Sequence, residues 1–397
     1  MEITPSLMSV QNGVFMKKIS HVVILIVLAI SLSGCLSEQP SELPTEKNDF
    51  NESLNIDKNA EIALFNNENL FYFTSETNEE TPDLTTMILY EYNFVDQKSK
   101  ELSSYEDVSI YSGSKVLQGE KLYLPLTHNT DNILAEVNLE NNSSKIIKQW
   151  ETNPPLAFVY GLNQNIILFG PNTLEDSTFE YAIDTFNPDN NKETNLVNTE
   201  VKDQQGELIP TIDVEGDYIY ALSITVQQNE HQYQIIKYDK NGKQISMYPF
   251  DLKAYLNPSA TLVDQDDAIY RLYKEQDYFI LNTLNGRVFI FKLVNNNLQP
   301  VPIPKEFYKE NPSGFRFIEY YDGESDFGYF YNTFDHKNVI TVFNYLTEEI
   351  TTFDFPEDKS NYFYFRNAKG DLIVHKSNDE GLSEFNYYNV ESLTKNK

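Results

Sequence analysis

Basic residues are scarce in this sequence, and cysteine is almost absent. The 397 residues include 30 Lys and Arg against 60 Asp and Glu, which gives a formal net charge of −30, and Cys35 is the single cysteine. A nucleic-acid-binding surface needs basic side chains to neutralise phosphates, and a disulfide-bonded scaffold needs paired cysteines. The composition therefore excludes both classes. Tyr and Phe are abundant, at 27 and 26 residues, which is typical of a folded chain rather than a disordered acidic one.

Long apolar runs are also missing, with one short exception. Residues 21–32 read HVVILIVLAISL, which is shorter than the roughly 20 residues of a transmembrane helix. Lys17 and Lys18 precede the run, as the positive end of a secretory signal does. The pattern predicts a signal peptide, and its length is ordinary if translation starts at Met16 rather than at Met1.

The run ends in Leu32-Ser33-Gly34-Cys35. This string is similar to the lipobox of bacterial lipoproteins, a family in which signal peptidase cuts before the Cys and the thiol is diacylated. The resemblance implies that residues 1–34 are a removed signal peptide and that Cys35 carries lipid, including palmitate, which anchors the protein to the outer side of the bacterial cell membrane. The alternative is an ordinary signal peptide or an uncleaved anchor with a chance Cys.

Cleavage before Cys35 would change the charge only slightly. One acidic and two basic residues leave with the signal, so the net charge becomes −31. Residues 35–59 then form a lipidated Cys and a flexible acidic linker, because they combine Pro40 and Pro44 with Glu, Ser and Asn and carry few apolar residues. Residues 60–397 are predicted to form the folded domain.

That domain contains a repeat with a mean period of about 50 residues. A polar turn leads into an apolar strand seven times, at Asn69, Lys121, Asn165, Asp217, Asp277, Asp326 and Asp371. After each, a second strand ends in Asn or Asp before another polar turn, at Asn93, Asn138, Asn187, Asp239, Asn344 and Asn389, and more loosely at Asn295. Tyr, Phe, Val and Ile dominate these strands, as pleated, half-buried surfaces favour.

Repeated units of strand, turn, strand, loop, strand, turn and strand resemble a β-propeller, which typically has 4–8 blades. We therefore predict an all-β fold, a β-propeller of seven four-stranded blades. Six or eight blades and a pair of β-sandwiches are the alternatives. The last unit runs out of chain after three strands, so residues 53–57 are expected to complete its sheet and remove an exposed edge. The sequence lacks the signature residues that would indicate a propeller subfamily.

Motifs for chemistry are weak. The four histidines after the signal, His128, His231, His336 and His375, fall in different units without metal-ligand spacing. Ser112-Gly113-Ser114-Lys115 matches Ser-x-x-Lys but has no partner motif. No catalytic or cofactor-binding residue is assigned, and the metal-binding residues are unknown.

Two groups of acidic and amide residues suggest a weak calcium site. They are Asp264, Asp266 and Asp267, and Asn187, Asp189 and Asn191. The second group has the alternate spacing of a calcium loop but lacks its later Gly and Glu, so a solvated turn is the favoured interpretation of each. Arginine is scarce, and for an anionic ligand the candidates are Arg271, Arg287, Arg316 and Arg366.

These observations favour a membrane-anchored extracytoplasmic lipoprotein, monomeric, whose propeller is a binding or scaffold module for a protein or glycan of the cell envelope. The alternative is a propeller enzyme of hydrolase, lyase or lactonase type that acts on envelope glycan or polysaccharide. By analogy with other propellers, the ligand is expected at the long connections, residues 74–86, 200–212, 251–262 and 304–314. Nucleic acid is excluded as a partner.

Overall fold

The structure is a computed structural model. It describes residues 52–66, 69–77, 85–110, 115–128, 131–150, 158–173, 179–202, 205–227, 230–252, 269–283, 287–302, 316–318, 325–334, 337–354, 361–367, 369–377 and 383–388. These residues contain no α-helix, and none of their elements is a helix long and apolar enough to cross a membrane. The predicted signal peptide and Cys35 lie outside the described residues.

The described residues contain twenty-nine strands, which form six antiparallel sheets. One sheet contains β2 (Glu61–Phe65), β3 (Asn69–Thr77), β4 (Thr85–Asn93) and β5 (Lys98–Glu106). The next has five strands, β6 (Val108–Ile110), β7 (Val116–Gln118), β8 (Lys121–His128), β9 (Asp131–Asn138) and β10 (Ser143–Trp150). The largest has eight, β11 (Phe158–Leu162), β12 (Asn165–Thr173), β13 (Phe179–Asn187), β14 (Lys192–Lys202), β15 (Gln205–Glu215), β16 (Tyr218–Gln227), β17 (Glu230–Asp239) and β18 (Gln244–Phe250).

Three more sheets complete the domain, and each has four strands. One contains β19 (Ile269–Glu275), β20 (Tyr278–Thr283), β21 (Val288–Val294) and β22 (Asn297–Pro300). Another contains β23 (Arg316–Phe317), β24 (Phe327–Phe334), β25 (Lys337–Asn344) and β26 (Ile350–Asp354). The last sheet joins β27 (Asn361–Arg366), β28 (Leu372–Ser377) and β29 (Ser383–Tyr388) to β1 (Glu52–Ser53) from the start of the described chain.

The all-β prediction is confirmed, and the sheets have the architecture of a β-propeller. The sheets do not, however, form seven separate four-stranded blades. Four sheets have that form, and the other two contain five and eight strands. The eight-stranded sheet arises because β14 pairs directly with β15, Val201 opposite Gly206 and Lys202 opposite Gln205. Gly206 has a φ of +137°, and a Cβ there would lie 2.1 Å from the Glu200 carbonyl oxygen, so this close approach requires glycine.

Strands such as β3 pack against two neighbouring sheets. In β3, Phe71 and Phe73 join a core shared with the following sheet, whereas Leu70 and Tyr72 join a core shared with the last sheet. Alternate side chains of a strand point to opposite faces, so a strand buried on both faces reads as a continuous apolar run. This explains why residues 70–73 of β3 form an apolar run without polar alternation.

The N-terminal segment closes the ring of sheets. Ser53 lies opposite Asn386, and the Leu54 amide donates to the Phe385 carbonyl oxygen at 2.8 Å. The Leu54 side chain packs in one core with Ile62 of the first sheet. The predicted closing strand therefore exists, although it begins one residue earlier and is shorter than residues 53–57.

The Asn and Asp residues that mark the repeat have a structural role. Five of them end the third strand of a unit and accept two backbone N–H bonds through Oδ1 from the turn that follows; they are Asn93, Asn138, Asn187, Asp239 and Asn344. Such side chains satisfy turn amides that no strand can reach. The repeat found in the sequence is thus a repeat of side-chain-closed turns.

Candidate functional site

Polar side chains connect the first strands of neighbouring units, and they form the candidate site. The Thr211 hydroxyl on β15 accepts the Leu272 N–H of β19 at 3.1 Å. Two residues further on, Oδ2 of Asp213 accepts the Lys274 N–H at 2.6 Å. Side-chain oxygens of β15 thus accept hydrogen bonds from backbone N–H groups of β19 that have no partner strand on that side among the described residues. We call Tyr160, Thr211, Asp213, Arg271 and Glu275 the inner-strand cluster.

Asp213 is an acidic residue of this cluster, and its pKa is shifted. Its Oδ1 also accepts the Val214 N–H at 2.9 Å. Burial raises the pKa of its carboxyl group to about 7, and the nearby Glu275 charge adds to the rise, whereas the backbone hydrogen bonds and Arg271 oppose it. A carboxyl group with this pKa exchanges protons near neutral pH.

Arg271 lies across three first strands. It is 9% exposed, and its Nη1 donates to the Tyr160 hydroxyl on β11 at 3.4 Å. That hydroxyl donates in turn to the Ile212 carbonyl oxygen at 2.8 Å. The guanidinium is therefore part of a chain of hydrogen bonds that connects three consecutive units.

Next to the cluster, two lysines lie over tyrosine rings. Nζ of Lys237 is 3.5 Å from the ring centroid of Tyr218, and Lys237 and Lys274 lie 5.4 and 5.5 Å from that of Tyr220. Glu215 pairs with Lys274 at 3.3 Å. Burial lowers the pKa of Lys237, as does the positive charge of Lys274, and Glu215 opposes this. Cation–π contacts stabilise such partly buried ammonium groups.

The structure separates the four arginine candidates. Arg366 is fully buried in the last sheet and donates from Nε and Nη1 to the carbonyl oxygens of Ile318 and Phe327, both at 2.8 Å. Arg287 closes the turn between β20 and β21 through its backbone. Arg316 begins β23, and its side chain lies outside the described set. Arg271 alone among them is placed in the inner-strand cluster.

The histidines do not come together in the described part of the chain. His128 lies 3.6 Å from Asp107, His231 packs near Tyr233, and the His375 ring stacks on Phe385 with centroids 4.5 Å apart. Burial lowers the pKa of His375. Among the described residues no group of three or more His, Cys, Asp or Glu could hold a metal ion. His336 is outside them.

The calcium-like spacing at Asn187 corresponds to a turn. Oδ1 of Asn187 accepts the amides of Asp189 and Asn190, and its Nδ2 donates to Asn165 at 2.8 Å. Asp189 lies 3.6 Å from Lys121. Weak calcium binding here stays a prediction.

Several predicted features lie outside the described residues. They are Cys35, Ser112, Gly113, Ser114, Asp264, Asp266, Asp267, and most of the connections 74–86, 251–262 and 304–314. The described residues of the fourth long connection, 200–202 and 205–212, belong to β14 and β15, which pair with each other there.

Sequence reasoning missed most of the inner-strand cluster. Its signal is the alternation Thr211-Ile212-Asp213-Val214-Glu215, in which polar residues take every second position of a strand in an otherwise apolar set. Ile212 and Val214 enter the core shared with the preceding unit, so the polar residues face the following one. Alternation of polar and apolar residues in a strand with two buried faces is therefore a signal of a polar contact between units.

Comparison with known proteins supports the fold alone. No family model and no curated protein sequence matches the chain. It is similar to the β-propeller domain of the Trilobed protease from Pyrococcus furiosus, with a TM-score of 0.51 and 10% identity over 84% of this chain and 94% of that one. It is also similar to acylaminoacyl peptidase in complex with Z-Gly-Gly-Phe-chloromethyl ketone, with a TM-score of 0.54 and 10% identity over 85% of this chain.

The match spans 54% of the acylaminoacyl peptidase chain, about half its length. A putative 6-phosphogluconolactonase from Bacteroides uniformis matches with a TM-score of 0.43 and 14% identity, over 80% of this chain and 95% of that one.

The Asp213 carboxyl group predicts a pH dependence of stability. Its folded pKa of about 7 lies above the ordinary value of 3.8, so between these values the folded chain holds a proton that the unfolded chain has lost. Its contribution to the free energy of unfolding therefore falls as pH rises from about 4 to about 7. Urea unfolding should show that the stability of the native chain relative to Asp213→Asn decreases over this range.

The control is Asp189→Asn, which removes a carboxylate that is 70% exposed. The stability of the native chain relative to this variant should change little between pH 4.5 and 8. A pH-independent difference for Asp213→Asn would contradict the assignment of a raised pKa.

Proposed function

We propose that this chain is a lipid-anchored extracytoplasmic lipoprotein whose β-propeller is a binding or scaffold module for a protein or glycan of the cell envelope. One observation carries the proposal. The lipobox-like string ends at Cys35, and the described propeller begins at Glu52, with only 16 residues between the two. A lipid on Cys35 would hold the propeller close to the membrane, where an exposed face can bind a neighbour.

The inner-strand cluster supports a binding role over a catalytic one. Asp213 and Thr211 bind backbone amides of β19, and Arg271 binds Tyr160. These groups are engaged in hydrogen bonds between units of the propeller, so they join neighbouring units. Fold by itself does not fix function, and we therefore assign ligand recognition to the exposed faces of the propeller.

We also propose that the ring has seven units. Seven apolar cores among the described residues each join consecutive units, and the seventh joins the last sheet to the first. If the ring has seven units, the eight-stranded sheet comprises two of them, which are joined where β14 pairs with β15. In the five-stranded sheet, β6 and β7 both pair with β8 and together take the place of the first strand.

Replacement of Cys35 tests the anchor. In Cys35→Ser the thiol that accepts diacylglycerol is lost, and the protein should appear in the medium instead of the membrane fraction; labelled palmitate should no longer be incorporated. Ser33→Ala keeps a small residue before the cysteine and should stay anchored and labelled. If Cys35→Ser is still membrane-bound, the lipoprotein proposal is wrong.

A second function is favoured by the Asp213 carboxyl group. A propeller enzyme acting on envelope glycan would use such a group, protonated below pH 7, as a general acid beside the buried carboxylate of Glu275. It predicts that the purified chain cleaves envelope polysaccharide, that the activity falls as pH rises through about 7, and that Glu275→Gln abolishes it. Under our first proposal the same polysaccharide, or an envelope protein crosslinked in intact cells, is retained without cleavage.

A further inference from the structure

The direction of β1 shows on which side of the propeller the N-terminal segment arrives. Within each unit, the turns from first to second strand and from third to fourth strand lie at one end of the sheet, which we call the turn face. Glu52 pairs with Tyr387, one residue from the turn-face end of β29, and the chain then runs away from this face through Ser53 and Leu54. The described chain therefore begins at the turn face.

Hydrogen bonds confirm that turns of neighbouring units share this face. Asn163 donates to Asp217 at 2.5 Å between two units, and Gln276 donates to the Asp326 carboxylate at 3.1 Å between two others. The Tyr278 hydroxyl donates to the Tyr345 carbonyl oxygen at 3.0 Å. The turns are thus connected from unit to unit.

Two aliphatic side chains project from this face. Val95 is 90% exposed and Leu346 is 70% exposed, the largest exposures among the large hydrophobic residues that the structure describes. Both occupy the second position after a turn-closing Asn, Asn93 for Val95 and Asn344 for Leu346. The turn does not require an apolar residue there, because other units have Glu140, Asp189 and Asn241 in this position.

The two side chains flank the sheet that the N-terminal segment closes. Phe94, next to Val95, packs its ring 5.1 Å from that of Tyr387, the residue opposite Glu52. Leu346 follows Tyr345 in the unit on the other side of the last sheet. Exposed apolar groups therefore lie on either side of the point where the described chain begins.

The length of that segment limits how far this face can be from a membrane that holds Cys35. Sixteen residues separate Cys35 from Glu52. A random coil of 16 residues spans roughly 20–25 Å on a root-mean-square basis, and a chain of this length reaches at most about 60 Å when fully extended. Apolar side chains so close to a bilayer gain by leaving water.

From these observations we propose that the turn face is the membrane-facing surface of the propeller and that Val95 and Leu346 contact the lipid surface. The proposal rests on the lipid anchor proposed above. Because the chain is strongly acidic, the surface it contacts is one of neutral lipid headgroups rather than anionic ones. The opposite face, where β14 meets β15, then points away from the membrane and is free for a partner.

Tryptophan placement tests this orientation without depending on natural acylation. The chain from Cys35 onward is coupled through its single thiol to a maleimide lipid in phosphatidylcholine vesicles, and quenching by brominated lipid is measured for Val95→Trp and Leu346→Trp. The matched control is Gln227→Trp, an exposed residue at the opposite end of β16. The unsubstituted chain gives the contribution of Trp150.

We expect brominated lipid to quench the emission of the introduced tryptophan about twofold or more in Val95→Trp and Leu346→Trp, as for groups at the headgroup–acyl boundary. The emission of the introduced tryptophan in Gln227→Trp should be unchanged. Quenching at Gln227→Trp, or at none of the three positions, would overturn the proposed orientation. Failure of the anchor itself would appear separately, as Cys35→Ser that stays in the membrane fraction of cells.

Discussion

Closure of the ring is the constraint on which the rest of this structure depends. A propeller whose last sheet stayed open would expose a strand edge and leave the apolar faces of the first and last sheets in water. Here closure uses few residues: β1 has two residues, and the Leu54 amide adds one more bond to β29. The Leu54 side chain strengthens it, since it packs with Ile62 and Phe385 in the core between the two sheets.

Much of this architecture could be predicted from turns, and little of it from strand periodicity. Asn93 and Asn344 mark the ends of third strands because their side chains close the turns that follow. A strand such as β3, which is buried on both faces, has an apolar run without polar alternation, so its faces could not be assigned from the sequence. The prediction of separate four-stranded sheets was wrong at β14 and β15, which pair with each other, since that pairing depends on the close backbone approach at Gly206.

The inner-strand cluster is harder to predict, because it depends on which first strands lie side by side. Asp213 and Arg271 are 58 positions apart in the sequence, and nothing local shows that β15 and β19 are neighbours. When the two strands lie side by side, Asp213 is buried between them, and burial raises the pKa of its carboxyl group to about 7. The packing that brings the two strands together buries Asp213 and so raises its pKa, whereas the hydrogen bond from the Lys274 N–H opposes that rise.

The most direct test of this account is a disulfide across the closure. Ser53 and Asn386 form the non-hydrogen-bonded pair next to the Leu54–Phe385 bond, a position where Cα atoms lie about 4.5 Å apart and a disulfide can form. In a Cys35→Ser chain, Ser53→Cys with Asn386→Cys should oxidise readily and unfold at higher urea than its reduced form. Ser53→Cys with Glu384→Cys is the diagonal control and should not crosslink. Absence of the first disulfide, or equal crosslinking of both pairs, would contradict closure of the propeller by the N-terminal strand.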